Sequence, residues 1–412
     1  MEVTEKQKKV RVSRKYAERQ ARIVSVATRI INRRGVSGMT LAQVAADLEM
    51  NPTAIAYYFK TKDDLATAAF LVGFSRLSAI ISQGDLGGLG DRILNLIDRY
   101  TSYIARMDLG SEVDLIAPND IRALNSPQVL AAYADVFRLI RKQTFESLAG
   151  TVDHRGVNAR THLLLAQLHW FRAWRLNMHP GDYARSGQRV CDILLNGFAS
   201  PACKLDRQWL SQPLRAREPG DGKARDAFLQ AATELINEQG YHGASVDRIS
   251  ARLKVSKGSF YHHLETKDEL IVACFDRTIE ILHATIADVE VLASSGLHAL
   301  ALLAATLVHR QLSGEATLLR ISATTTLPEA LQPRVLMDYN RIAVRIASIF
   351  SDGIVDGSIR PLDSYVAAEV FLGMINASDE LQYFVRDLTF ESAIDCYVAP
   401  LFMGMKALAA DG

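Results

Sequence analysis

The chain has 412 residues, 49% hydrophobic and 23% charged, with a net charge of +1. That length predicts two to four domains with room for real cores, and the composition is that of an ordinary soluble protein. Its cysteines, Cys191, Cys203, Cys274 and Cys396, are scattered without a C-x-x-C or Cys/His cluster, which argues against a disulfide framework or a zinc site and for free structural thiols in a reducing compartment.

In chain order, the first feature is a basic arm. Residues 1–66 hold 13 Lys/Arg against 7 Asp/Glu, with Lys6, Lys8, Lys9, Arg11, Arg14, Lys15, Arg19 and Arg22 the densest run. It reads either as a solvated tail or as an arm that tracks phosphates. The charged start does not resemble a signal peptide. The most apolar stretch, Leu297–Val308, contains His298 and is too short to span a bilayer. The expectation is a cytoplasmic protein with no membrane partner, no metal and no cofactor.

Ile23, Val26, Ala27, Ile30 and Ile31 form the stripe of a buried helix face. Gly35 stands where a helix end wants positive φ. Thr40-Leu41-Ala42-Gln43 is a capping box that opens a second helix. A turn at Glu49-Met50 follows, and Asn51-Pro52 starts a short third helix. Thr61 caps a fourth, whose first turn carries Asp63 and Asp64. Further helical stretches are expected near 63–82, 90–107, 127–149, 158–177 and 183–199. Pro201, Pro213, Pro219, Gly220 and Gly222 mark a linker, in which Trp209 implies partial docking.

The pattern then returns. Residues 27–65 overlay residues 232–270 without a gap, with twelve of 39 positions identical, among them Asn32/Asn237, Gly35/Gly240, Thr61/Thr266 and Lys62/Lys267. A repeat this long means two whole copies of one domain type. Phe228, Leu229, Ala232, Leu235 and Ile236 repeat the stripe, Ser245 and Ser256 stand as caps, and Lys254-Val255 is the turn. Helices are expected near 268–293, 297–313, 328–351, 364–385 and 391–409, and no convincing strand pattern is present. The fold class is all-α. The domain reading is 1–66 arm and first reader, 67–200 first helical domain, 201–222 linker, 223–271 second reader and 272–412 second helical domain.

Two short helices joined by a tight turn, the second rich in polar and aromatic residues, form a helix-turn-helix. The second copy resembles the DNA-binding domain of the TetR family of transcriptional regulators. The resemblance rests on Gly240, Ser245, Ile249, Leu253, the run Val255 to His263, and Thr266-Lys267-Asp268-Glu269-Leu270. The first copy looks like a divergent relative. It keeps Gly35, Thr40, Val44, Leu48, Tyr57-Tyr58-Phe59 and Lys62-Asp63-Asp64-Leu65, but has Pro52, Thr53 and Ala56 where Lys257, Gly258 and Tyr261 stand. The motif covers about a quarter of the chain.

A recognition helix presents short polar side chains at its N-terminal end to base edges. Lys257, Ser259 and Tyr261 are placed for this in the second copy, and Thr53 and Tyr57 in the first. Thr40 and Ser245 stand with helix-start N–H groups that hold phosphates. Tyr57, Tyr58, His262 and His263 flank the groove, while Phe59 and Leu264 fill the mini-core. Lys62 and Lys267 sit where they would clamp the backbone. Gln43, Asn51, Ser256 and Gly258 complete the expected DNA-binding set.

The resemblance implies dimerisation through the last two helices of each half. Here 158–177 with 183–199 would pack on 364–385 with 391–409, as a monomeric covalent pseudo-dimer; a dimer of chains is the other assembly. It also implies an unknown small-molecule effector in the helical domains. Tyr100, Tyr103, Met107, Phe137, Trp170 and Trp174 are candidate wall residues in the first half, and Tyr339, Phe371 and Met374 in the second; aromatics and methionines at helical spacing are more often core. His162 and His169 share a helix face without reading as metal ligands.

The leading function is a DNA-binding transcriptional regulator, a repressor released by a hydrophobic or amphipathic effector, on an imperfect or asymmetric palindrome. An enzyme is disfavoured, because no nucleophile elbow, P-loop, dinucleotide fingerprint or metal motif is present. The alternative is a regulator whose second reader alone binds DNA, the first half being a structural or protein-interaction module.

Overall fold

The computed structural model describes residues 2–82, 87–121, 124–148, 150–215, 223–243, 245–254 and 266–406. Among them the chain is helical throughout, with one isolated backbone bridge, Ala199 to Ile359. Four helices come first: α1 (Glu2–Gly38), α2 (Leu41–Asp47), α3 (Pro52–Tyr58) and α4 (Lys62–Ser82). The basic arm is therefore continuous with α1 rather than a tail. Gly35 breaks that helix at φ 68°, ψ 173°, so it has the positive φ that its position asks for.

The first helical domain follows as α5 (Leu89–Asp108), α6 (Pro127–Ile140), α7 (His154–Trp174) and α8 (Tyr183–Asn196). Helix α6 runs on through a π-helical turn, Arg141–Phe145. The linker carries a five-residue helix, α9 (Arg207–Ser211). Trp209 does dock it: the indole stacks on His298 at 4.7 Å, and the Leu214 N–H donates to Thr306 Oγ1 at 3.0 Å.

The second half repeats the order with α10 (Lys223–Gly243), α11 (Val246–Leu253), α12 (Lys267–Leu292), α13 (Gly296–Ser313), α14 (Gln332–Val355) and α15 (Ser364–Ala377). Gly240 breaks α10 at φ 73°. The last helix is interrupted: α16 (Phe390–Ala393) passes through a π-helical turn, Ile394–Val398, into α17 (Ala399–Met403). Its first-half counterpart α8 is regular. Helix α4 is long and apolar enough to cross a bilayer by length and composition, with half of that stretch buried in the protein. The sequence reading put the most apolar stretch elsewhere because it weighed a shorter run.

The halves meet where α7 crosses α15 and α8 runs beside α15 and α17. Close approach is possible because Gly373 faces Gln167 and Trp170; a Cβ there would lie 2.9 Å from Gln167 Oε1 and 3.0 Å from Trp170 Cγ. Polar bonds cross the same seam. Gln167 Nε2 donates to Val370 O at 3.0 Å, Trp170 Nε1 to Glu369 Oε2 at 2.9 Å, and His162 Nε2 to Ala377 O at 2.9 Å. Further out, Phe137 stacks on Phe384 at 4.5 Å.

At the helix ends the two backbones touch. The N–H groups of Phe198 and Ala199 donate to Phe402 O at 2.9 and 3.0 Å, and Met405 N–H donates to Leu194 O at 2.8 Å. Gly197 (φ 70°) and Gly404 (φ 91°) make this contact. A Cβ on Gly197 would stand 2.3 Å from Phe402 O, and one on Gly404 2.4 Å from Leu195 O.

Glu369 brings a titration to the seam. It is 3% exposed, and burial pushes its carboxyl up to about 7, against the opposing hydrogen bonds from Trp170 and Tyr365. The folded chain then holds this proton to a higher pH than the unfolded one. The favourable contribution is complete below the ordinary glutamate value and is lost as pH rises through about 7. Glu369→Gln should therefore raise the unfolding free energy at pH ~8 by up to about 3 kcal/mol and leave it little changed at pH ~5. Denaturant titrations at the two pH values check this; an equal effect at both would refute the burial argument.

Candidate nucleic-acid interface

The first reader is built by local caps. Thr40 Oγ1 accepts from Gln43 N–H at 3.2 Å while Gln43 Oε1 accepts from Thr40 N–H at 3.0 Å. The pair is spent on opening α2, with Thr40 exposed and Gln43 half-buried. Asn51 Oδ1 accepts from Thr53 N–H at 3.0 Å and from Thr53 Oγ1 at 2.8 Å, which starts α3. Thr61 and Asp64 cap α4 reciprocally, at 3.1 and 3.0 Å. Each of the bonds from a backbone N–H satisfies a helix-start donor that has no partner within its helix.

These caps hold α3 with Ile55 buried beneath it and Asn51, Thr53 and Tyr57 exposed. Tyr57 is 75% exposed, an uncommon position for an aromatic ring without a partner surface. Tyr58 is half-buried, tilted against Tyr16 of α1 at 4.7 Å, with Tyr57 edge-on to it at 5.3 Å. Tyr16 was missed from the sequence because the arm was not read as helix. Phe59 is buried as expected. Lys62 is exposed at the start of α4, and Arg14, Lys15, Arg19 and Arg22 are exposed along α1. The reader thus shows an α3 tip of short polar groups and a ring, flanked by cations from two other helices.

In the second reader Ser245 Oγ accepts from Arg248 N–H at 3.3 Å and opens α11, and Thr266 caps α12 through Glu269 N–H at 3.1 Å. Lys267 is half-buried at the start of α12, and burial holds its ammonium below the usual lysine range. Ser256, Lys257, Gly258, Ser259, Tyr261, His262, His263 and Leu264 lie outside the described residues. The turns after α2 and α11 match: Glu49 (φ 53°) and Lys254 (φ 56°) are equivalent positions, both left-handed without being glycine.

Two further pairs recur at equivalent positions of the two readers, and the first ties each reader to the rest of its half. Asn32 Nδ2 donates to Leu115 O at 2.9 Å and its Oδ1 accepts from Ala117 N–H at 2.8 Å. Asn237 does the same with Leu318 O at 2.9 Å and Arg320 N–H at 3.2 Å. An identical asparagine at the same repeat position pins an extended segment of each helical domain to the first helix of each reader. The signal in the sequence was a polar identity beside an apolar stripe. Asn237 is buried and Asn32 half-buried, so Asn237→Ala should cost about 1–3 kcal/mol and Asn32→Ala less. Unfolding in urea measures both; equal costs would contradict the burial argument.

The second pair is an ion pair across the first two helices of each reader. Arg29 meets Asp47 at 3.0 Å, and Arg252 meets Glu234 at 2.9 Å. The residues occupy equivalent positions with the charges exchanged. The first reader also leans on the second half. Helix α1 packs against the turn Ile321–Thr326, Arg34 pairs with Glu329 at 2.8 Å, and Gln332 Nε2 donates to Arg33 O at 3.1 Å.

The proposed effector walls are placed differently from the expectation. Tyr100, Tyr103, Phe137, Trp170, Trp174, Tyr339, Phe371 and Met374 are buried in the packed core, and Met107 is half-buried with its sulfur accepting from Leu115 N–H. Of this set, Trp170 lines a small cavity of about 80 Å³ between the halves, beside His162 and His169. Burial lowers His169 to about 4, and no group of three metal-ligating side chains occurs among the described residues. Burial raises the Cys191 and Cys274 thiols to about 12, as for structural thiols.

The family model for bacterial regulatory proteins of the tetR family matches this chain twice, over residues 23–69 and 228–274. Each half of the chain carries a tetR-family N-terminal domain. The chain carries two repeats; the first matched segment takes in α2, α3 and the start of α4, and the second takes in α11 and the start of α12. Transposon Tn10 TetC protein of Escherichia coli is 37% identical over 60 residues, covering 15% of this chain and 30% of that protein. The HTH-type transcriptional repressor Rv3405c of Mycobacterium tuberculosis is 40% identical over 62 residues, covering 15% and 33%. The matches thus span about a third of these relatives' length. The solved structure of the TetR family transcriptional regulator PfmR from Thermus thermophilus aligns with a TM-score of 0.34 and 20% identity, over 44% of this chain and 99% of that one.

Proposed function

We propose that this chain is a sequence-specific DNA-binding transcriptional regulator in which one polypeptide supplies two unlike readers. The observation that carries the reading is the exposed tip of α3, with Thr53 and Tyr57 directed outward, in a reader that has an in-register copy 205 residues later. Thr53 and Tyr57 read bases, Thr40, Asn51 and Lys62 hold phosphates, and Ser245, Lys257, Ser259, Tyr261 and Lys267 do the corresponding work in the second reader. The division into 1–66, 67–200, 201–222, 223–271 and 272–412 places each reader ahead of a regulatory domain, the halves packed as an intrachain pseudo-dimer. It acts in the cytoplasm, without catalysis, as a repressor by occlusion released when an amphipathic effector favours misplaced readers.

Selection from random duplex DNA tests this. One chain per site should protect two unequal half-sites about 10 base pairs apart, centre to centre. A symmetric palindrome bound by two chains would overturn the reading. A single half-site would favour the alternative in which the first half is structural; Ala56 where the second reader has Tyr261, and Tyr58 held by Tyr16, point that way.

A further inference from the structure

The two readers differ in what leads into them. Residues 14–22 of α1 hold Arg14, Lys15, Arg19 and Arg22 against Glu18, a surplus of +3. The aligned residues 219–227 hold two basic and two acidic residues, with Asp221 where Tyr16 stands. Along the recognition-helix sequence the difference is reversed. Helix α3 has Pro52 and Ala56 where the second reader has Lys257 and Tyr261. The first reader is thus poorer by a cation and a ring in the helix that reads bases, and richer by cations and a ring in the helix before it.

The fold brings those groups together. Tyr16 lies against Tyr58 at 4.7 Å between ring centroids and edge-on to Tyr57 at 6.1 Å. This stretch of α1 is therefore seated on the C-terminal end of α3. Lys15, Arg19 and Arg22 recur at i, i+4 and i+7, which makes one stripe about 10 Å long, and all three are exposed. Arg29 continues the stripe two turns on and meets Asp47 of α2 at 3.0 Å, so the stripe runs on the side of α1 that adjoins the helix-turn-helix. An exposed helix face laced with salt bridges alternates the two signs of charge. Here the one acidic residue of the stretch, Glu18, is taken up by Arg14 at 2.9 Å.

We propose that this face of α1 is a second DNA-binding surface, belonging to the first reader alone, on which Lys15, Arg19 and Arg22 neutralise phosphates beside the first half-site. The proposal rests on the regulator reading above and assigns a division of labour within it. The first reader holds DNA largely by charge, and the second largely by base edges. Phosphate contacts carry no sequence information, so the first half-site should be the less strictly specified of the two.

The test uses the full chain on duplex DNA selected as above. Lys15→Gln, Arg19→Gln and Arg22→Gln combined should lower the slope of log affinity against log salt by about three. Between about 50 and 200 mM salt the variant should then lose about 40-fold less affinity than the parent chain. The change in slope should be the same with the first half-site intact or scrambled, which separates phosphate contacts from base reading. Hydroxyl-radical protection should shrink by about three base pairs beside the first half-site and stay the same beside the second. Arg138→Gln, Arg155→Gln and Arg341→Gln combined, all exposed on the helical domains, remove the same net charge and should move the slope by less than about one. An unchanged slope in the α1 variant, an equal fall in the control, or protection lost equally beside both half-sites would overturn the proposal and leave the regulator reading standing. Failure of the parent chain to bind any duplex would overturn both.

Discussion

Gly197→Ala should destabilise the chain by about 3 kcal/mol or more, with Gly404→Ala similar. Two causes add at Gly197. Its φ of 70° with ψ of −169° is a conformation that belongs to glycine, and a Cβ would meet Phe402 O at 2.3 Å. Relief would require opening the seam in which Phe198, Ala199 and Met405 exchange backbone bonds across the halves. Gly110→Ala is the control: φ there is 76° and nothing lies within 4 Å of the added carbon, so about 1 kcal/mol is expected. Urea unfolding of the three variants measures the difference. If Gly197→Ala costs no more than Gly110→Ala, the seam is not tight. The two seam changes together should cost less than their sum, because either one loosens the same contact.

Substituting Tyr57 and Lys62 together by alanine should weaken operator binding about 10- to 100-fold, and the Tyr261 and Lys267 pair should do likewise. Each lost lysine–phosphate contact should also lower the slope of log affinity against log salt by about one. The effects should be site-specific: each pair weakens one half-site of an unequal operator and spares the other. Binding titrations at several salt concentrations on operators with either half scrambled read this out. If the Tyr57/Lys62 variant binds as tightly as the parent chain, the first reader does not touch DNA.

Much of the readers was legible because their signals are local. Thr40, Asn51, Thr61, Ser245 and Thr266 cap helices through bonds spanning two or three residues, and Gly35 and Gly240 take positive φ at the predicted place. Phe59 faces inward on a short helix whose other face is polar. The effector walls were not legible. Tyr100, Phe371 and Met374 sit on the apolar faces that periodicity identifies, but a packed core and a pocket ask for the same side chains. What separates them is whether a neighbour fills the space, and that depends on contacts distant in sequence. A cavity beside α9 needed three segments, around residues 160, 210 and 395, to come together. The turns at Glu49-Met50 and Lys254-Val255 were legible, but the left-handed backbone of Glu49 and Lys254 was not, because neither residue is glycine.

The exchanged charges of Arg29–Asp47 and Glu234–Arg252 bear on the gene's history. Recombination between the two similar segments would join one reader's opening helix to the other's next helix. One hybrid would set arginine against arginine, the other glutamate against aspartate. Each product would begin with repulsion where both parents have attraction, so the fold itself opposes the homogenisation to which duplicated sequence is prone.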